Sequence, residues 1–404
     1  MNQQVVILGG GVAGLEALLA LHDLASDHAD VTLVAPDPDF VYKPLLVEEP
    51  FDLGPAAQHA LAPLAQELSA RFVQRAATSV EPNEHTVELD DGSKLEYGFL
   101  VVAAGGRFHP GLERARTFPS GAEPLRINEL LGSGDGRRRI AFVVPSGVTW
   151  ALPLYEIALM TQRRALELGI DVALTIVTPE EAPLALFGPT ASSAVAELLG
   201  ARGIGVEAAV HAREGDAHEL ILTPGDRRIV ADEVIALPTM DGPGLAGLPS
   251  DERGFIPIDQ HARVVGVEDV YAAGDGTNFP IKQGGLGTQQ ADAAATHIAE
   301  RLGAAVTAEP FHPVLRGKLI TKDESLHLRA DVTGGGDAEE ASLDCLWWPP
   351  HKISGRYLAP FLSHGEVHAE PEPPRHSLDV EVALPTEWHS EPMALDPYRF
   401  PEID

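Results

Sequence analysis

The chain has 404 residues, with 60 Asp and Glu against 29 Lys and Arg, giving a formal net charge of −31. Such a field repels nucleic acid and anionic membrane surfaces, and no apolar run reaches the roughly 18 residues that span a bilayer. One cysteine, Cys345, excludes an intramolecular disulfide, a CxxC redox motif and a cysteine zinc cage.

At about 100–200 residues per domain, the length implies two to three domains. Residues 4–8 read as a buried strand that starts the chain with no basic leader ahead of it, so a cytoplasmic protein is expected. Gly9-Gly10-Gly11-Val12-Ala13-Gly14 follows, then a helical pattern through Leu15, Leu18 and Leu19, then the apolar run Val31–Val34. A G-x-G-x-x-G between a strand and a helix, inside a unit of about 30 residues, predicts a dinucleotide pyrophosphate site. Gly9 permits the turn, Gly11 the approach of backbone to phosphate, and Gly14 close packing of helix on strand. The helix N-terminus adds unpaired N–H groups and partial positive charge. The acid expected at the end of the second strand is replaced by Ala35, leaving Asp37 as the candidate for the ribose.

Val101–Ala104 predicts another strand, ending in Gly105-Gly106, and Ile140–Val144 opens a second strand–helix–strand unit closed by Val172–Val177. There the fingerprint is degenerate. Pro145-Ser146-Gly147-Val148-Thr149-Trp150 keeps the middle glycine, offers a proline without an N–H, and puts tryptophan where glycine would allow close packing. The following strand ends at Thr178-Pro179, with Glu180 and Glu181 beyond the proline. Nicotinamide binding is therefore not expected. After Val234–Leu237, Asp241–Gly244 reads as a crossing back to the first domain; Asp269–Asp275 is a strand with a polar end, and a helix follows over about Gly285–Leu302. Leu319–Ala330 and Leu343–Trp348 are candidate strands of a smaller domain. The tail from Glu366 is rich in Pro, Glu and Asp and reads as extended.

These motifs in this order resemble the two-dinucleotide FAD flavoproteins of the pyridine nucleotide-disulfide oxidoreductase type. Leu100–Gly106 resembles their strand-to-loop motif, and Asp269–Gly276 their second FAD motif. Pro280-Ile281-Lys282-Gln283-Gly284-Gly285, with Gln289-Gln290-Ala291, is similar to the flavin-end helix start of one branch. That branch holds sulfide:quinone oxidoreductases, flavocytochrome c sulfide dehydrogenase and type II NADH dehydrogenases. The resemblance covers residues 4–310 and implies an α/β fold of two Rossmann-like domains, one inserted in the other, plus a C-terminal cap. The implied boundaries are 1–112 and 243–310 for the FAD domain, 113–242 for the second domain, 311–365 for the cap and 366–404 for the acidic tail.

Carried over by position, the resemblance implies non-covalent FAD held by Gly9, Gly11, Val12, Ala13 and Gly14, by Ala104, Gly105 and Gly106, and by Gly274 and Asp275 at the ribityl chain. Ala77 matches the backbone beside the adenine; Lys43 and Pro44 match the loop beside the isoalloxazine. Lys282, Gln283 and Gly284 match the flavin-end helix start. A reduced flavin is negative at N1 and the C2 carbonyl, so a helix N-terminus preceded by a lysine stabilises it. Lys282 and Lys43 are thus the candidate tuning residues.

Ala151-Leu152-Pro153-Leu154-Tyr155-Glu156 resembles the Cys-Pro-x-x-Pro-Tyr-Glu stretch of the sulfide-oxidising branch without its cysteine. Sulfide chemistry of that kind needs a cysteine pair. Cys345, beside Trp347 and Trp348, reads as a buried small hydrophobe. His364 and His368 lie four apart in flexible Gly- and Pro-rich surroundings, and no metal is expected. The aromatic stretch 346–362 suits cap packing, a dimer contact, a flavin wall or a quinone entry.

The reading is an FAD-dependent oxidoreductase passing electrons between a small reductant and an acceptor, with quinone a candidate. Two alternatives stand beside it: an NAD(P)H:acceptor reductase, and a flavin-bearing redox sensor without fast turnover. A basic protein partner fits the acidic surface, and a homodimer would use the aromatic stretch.

Overall fold

The computed structural model describes residues 2–119, 124–132, 137–216, 218–321, 325–332 and 339–364. The expected tail and His368 lie outside them. Two five-stranded parallel sheets dominate. The first runs in the order 270–272, 99–102, 3–8, 29–35, 71–74, with Val5 opposite Val31 and Phe99, and Ile7 opposite Leu33 and Val101. Its central strands are buried on both faces, which is why they read as unbroken apolar runs rather than alternating ones. Strand Gln3–Leu8 lies between the strand that follows it and one nearly a hundred residues later. The connections therefore leave in opposite directions, and a crevice opens at its carboxyl end, over the glycine loop.

The second sheet repeats the plan in the order 116–117, 233–236, 138–143, 172–177, 205–207, all parallel. Its switch point falls over the degenerate loop 144–151. Strand Arg107–His109 pairs antiparallel with Thr239–Asp241 where the chain passes between the two sheets. Gly111 sits against Pro145 so closely that a Cβ there would lie 2.3 Å from the ring.

The helix expected near Gly285–Leu302 is Gly284–Arg301, and it packs along helix Val12–Ala25. Leu319–Ala330 is two strands, Val314–Ile320 and Ser325–Asp331, paired as an antiparallel hairpin. Leu343–Trp348 is not a strand. The third strand of that sheet is Glu340–Ser342, and the chain then breaks into bends at 343–344 and 346–349. Among the described residues no helix is long and apolar enough to cross a membrane.

Candidate functional site

Helix Val12–Ala25 starts at Gly11 with no side-chain cap, so no side chain takes its first N–H groups. The three motif glycines answer to different constraints. A Cβ on Gly9 would sit 2.2 Å from the carbonyl of Ala103, and one on Gly14 would sit 1.8 Å from that of Gly9. Gly11 has nothing within 4 Å of that position and is exposed, as are Ala104 and the space beside Gly105. Two glycines let strand, loop and helix touch; the third faces the groove.

The other motifs converge on this groove. The Gly274 amide donates to Gln290 Oε1 at 2.8 Å, and a Cβ on Gly287 would meet Gly274 Cα at 3.0 Å and Ala13 Cβ at 3.8 Å. Gly276 lies against the carbonyl of Gly105, and Gly106 against Met240. Gly284 faces Val12 and Ile353. Asp275 is half-buried, and among the described residues no side chain or backbone group hydrogen-bonds its carboxylate. Burial raises its pKa, and the charges of Lys282 and Lys43 pull it back down. A lone carboxylate at the rim, open glycines and an uncapped helix start fit the ribityl and pyrophosphate parts of FAD. When bound, the flavin supplies the hydride and electron chemistry; the chain supplies position and charge.

Lys282 is held rather than solvated. Its Nζ donates to the Thr277 carbonyl and lies 3.7 Å from the centre of the Phe255 ring. Burial lowers its pKa to about 8, against the attraction of Asp275 and Asp251. Its backbone N–H donates to Thr149 Oγ1 at 3.2 Å, so the degenerate loop of the second unit is tied to the flavin-end loop of the first. Gln283 caps helix Gly284–Arg301: its Oε1 accepts from Leu286 N at 2.7 Å while its Nε2 donates to the Arg316 carbonyl. That side chain is fully used by the fold. Lys43 is exposed, and the Pro44 carbonyl beside it accepts from Lys352 Nζ at 3.0 Å.

Asp37 and Ala77 lie just past the carboxyl ends of two neighbouring strands of the first sheet, 29–35 and 71–74. Asp37 is exposed beyond strand Ala29–Ala35, and Ala77 begins a separate antiparallel sheet of strands 77–81, 86–89 and 94–96. Cys345 corrects the expectation of burial: it is exposed, with Sγ donating to the Trp347 carbonyl, while Trp347 is the buried neighbour. The intervening bend turns the thiol out and the indole in.

Three residues went unread in the sequence. Glu16 interrupts an apolar helical stripe and is fully buried, accepting from the Tyr357 and Leu358 amides at 2.9 and 2.8 Å. Lys352 pairs with buried Glu156 at 2.7 Å. Glu180 is placed by the sequence only as lying beyond Pro179. It is buried and accepts from Tyr155 Oη at 2.8 Å and Thr178 Oγ1 at 2.9 Å, and burial pushes its pKa up to about 7. A charged residue within an apolar stripe was the available signal for Glu16; nothing local marked the other two.

The chain matches the pyridine nucleotide-disulphide oxidoreductase family over residues 3–300. It belongs to that family. The sulfide-quinone reductase of Aquifex aeolicus (strain VF5) is 29% identical over 191 residues, 45% of this chain but only 44% of that protein. The ferredoxin reductase component of a chlorobenzene dioxygenase from Cupriavidus sp. (strain PS12) is 28% identical over 359 residues, 83% of each chain. The solved sulfide:quinone oxidoreductase of Aquifex aeolicus shares the fold, with a TM-score of 0.74 at 22% identity over 81% of this chain and 84% of that one. This family member is an FAD-dependent oxidoreductase.

Proposed function

We propose that this flavoenzyme takes electrons from a small reductant other than a pyridine nucleotide and passes them to a small acceptor such as a quinone. The observation that carries this reading is the packing behind the degenerate loop of the second sheet. At its switch point, where a nucleotide would lie, Trp150 packs on Phe187 with ring centres 5.7 Å apart. Glu180 turns inward to Tyr155 and Thr178 instead of outward to a ribose. The space left among Val148, Trp150, Glu180, Leu184 and Phe187 is about 10 Å³, room for one water molecule. The loop carries Pro145 where a phosphate would need an N–H, and its Thr149 is engaged by Lys282. A quinone acceptor is supported by the similarity to the Aquifex sulfide-quinone reductase.

A second reading, reduction by NAD(P)H, draws on the pyridine nucleotide in the description of the family. Anaerobic stopped-flow reduction of the bound flavin by NADH, NADPH and sulfide separates the two. The expected result is slow, unsaturated bleaching by all three, because the second glycine loop is degenerate and a lone thiol cannot carry sulfide oxidation. Saturable reduction by micromolar NADH or NADPH would establish the second reading instead.

A further inference from the structure

Phe255 lies where three parts of the groove meet. The loop 251–255 is a tight turn: Asp251 Oδ1 accepts from the Arg253 and Phe255 amides at 2.9 Å each, and the Asp251 amide donates to the Phe255 carbonyl at 2.9 Å. One side of the loop is fixed to the crossing strand. There the Gly242 amide donates to the Arg253 carbonyl at 2.9 Å, and a Cβ on Gly242 would lie 2.0 Å from the carbonyl oxygen of Gly254. The other side is fixed to the chain around Asp275: the Ile256 amide donates to the Gly276 carbonyl at 2.9 Å and the Asn278 amide to the Ile256 carbonyl at 2.8 Å. Phe255 is 5% exposed and anchored by backbone on both sides, so its ring is a fixed wall.

Two cations use that wall. Lys282 Nζ stands 3.7 Å from the ring centre and the Arg253 guanidinium carbon 5.4 Å from it. Arg253 is pinned by Asp241 Oδ1 at 3.3 Å and by the Met240 carbonyl. Burial and the repulsion of Arg253 both work against the Lys282 ammonium, whose Nζ donates to the Thr277 carbonyl. An aromatic face attracts a cation, more strongly where water is excluded, and so offsets those costs. A leucine in that place would fill the space without the attraction. The ammonium so held lies beside the groove: its charge acts on Asp275, and Lys282 directly precedes Gln283, the cap of the helix whose Gly284 meets Val12.

We propose that Phe255 is a positioning residue, which holds the Lys282 ammonium beside the flavin end of the groove and through it raises the reduction potential of the bound FAD. A reduced flavin is negative at N1 and the C2 carbonyl, so a fixed positive charge nearby favours reduction, whereas one free to turn into water is screened. The inference rests on Lys282 being the residue that tunes the flavin, and it does not depend on which reductant supplies the electrons.

Spectroelectrochemical titration of the FAD-loaded full chain at pH 7 against a reference dye tests it. Lys282→Met should lower the ratio of reduced to oxidised FAD at a fixed potential by about tenfold, a shift of about 30 mV for a two-electron couple. Phe255→Leu should lower it severalfold in the same direction, with FAD content retained. In the Lys282→Met background, Phe255→Leu should change the ratio by less than about twofold, since the ring acts only through the ammonium. Phe255→Tyr, which keeps the aromatic face, should hold the wild-type potential. Should leucine disturb the buried loop, replacing Phe255 by trifluorophenylalanine provides a second variant. Fluorine withdraws charge from the ring face with little change of shape, and the potential should again fall. An unchanged potential in both Phe255 variants, with Lys282→Met shifted, would show that the ring merely packs and would overturn the proposal. An unchanged potential in Lys282→Met would remove the tuning role of Lys282 on which it rests. Additive shifts in the double variant would overturn it too, because Phe255 would then act by another route.

Discussion

Gly11 and Gly14 belong to one motif but should fail in different ways. Gly14 has the carbonyl of Gly9 1.8 Å from the place its Cβ would take, so even alanine must push the helix off the strand. Gly14→Ala is expected to unfold or to fall into inclusion bodies. Gly11 has an ordinary φ of −85° and open space around it. Gly11→Leu should therefore fold, with far-ultraviolet circular dichroism matching the apo wild type, yet purify with less than about a tenth of the flavin because the side chain occupies the phosphate approach. Full flavin absorbance in that variant would place the pyrophosphate elsewhere. Cys345 offers a second residue-scale contrast. An exposed thiol outside the groove should react with a thiol reagent in the native state within minutes, and Cys345→Ser should leave flavin turnover within about twofold. A loss of a hundredfold with FAD retained would make this lone thiol part of the chemistry.

The segment 352–358 acts as a strap. Lys352 bonds Glu156 and the Pro44 carbonyl, the Ile353 amide donates to Tyr42 Oη at 2.9 Å, and the amides of 357 and 358 close on Glu16. One short stretch thus joins the glycine-loop helix, the flavin-side loop and the first helix of the second unit. Lys352 is 8% exposed and Glu156 fully buried, and burial raises the Glu156 pKa while Lys352 opposes the rise. Removing one partner strands the other, so Lys352→Met should cost about 3–5 kcal/mol in urea unfolding, and adding Glu156→Gln should return much of it. If the single variant lost less than about 1 kcal/mol, the pair would not be holding the strap. The sequence shows the strands and glycine loops clearly, because those depend on neighbours within a few residues: Val5–Leu8, Gly9–Gly14 and Val101–Gly106 declare themselves. It could not show the strap, whose partners lie 196 to 342 positions away. Cys345 was misjudged for a related reason. Two adjacent tryptophans suggested a buried strand, but the prolines at 349 and 350 favour a bend there, with Trp347 inward and Cys345 and Trp348 outward. The groove was legible at its glycines and at Asp275. Lys282 was legible as a position but not as a buried group resting on Phe255.

At the scale of the whole molecule, the excess of acids sets how the fold responds to salt. The arginines are largely engaged at the surface: Arg75 with Asp91, Arg139 with Asp232, Arg228 with Glu219 and Arg253 with Asp241, all at least partly exposed. Pairs of that kind contribute roughly 0–1 kcal/mol each, and salt weakens them. Against them stands the repulsion among the remaining acids of a chain with net charge −31, which opposes the compact state and is also screened by salt. The two effects have opposite signs. Raising ionic strength from 0.1 to 1 M shortens the screening length from about 10 Å to about 3 Å. Contacts of 3 Å within an ion pair feel that change less than repulsions acting across the surface, so relief of repulsion should win. The midpoint of thermal unfolding is therefore expected to rise by about 1–2 °C between 0.1 and 1 M KCl, the shift that roughly 1–2 kcal/mol produces in a chain of this size. An uncharged osmolyte at matched osmolality serves as the control, because exclusion of solute from the surface stabilises without screening. A midpoint that stayed flat or fell in KCl would mean that the surface ion pairs, despite their exposure, outweigh the net repulsion.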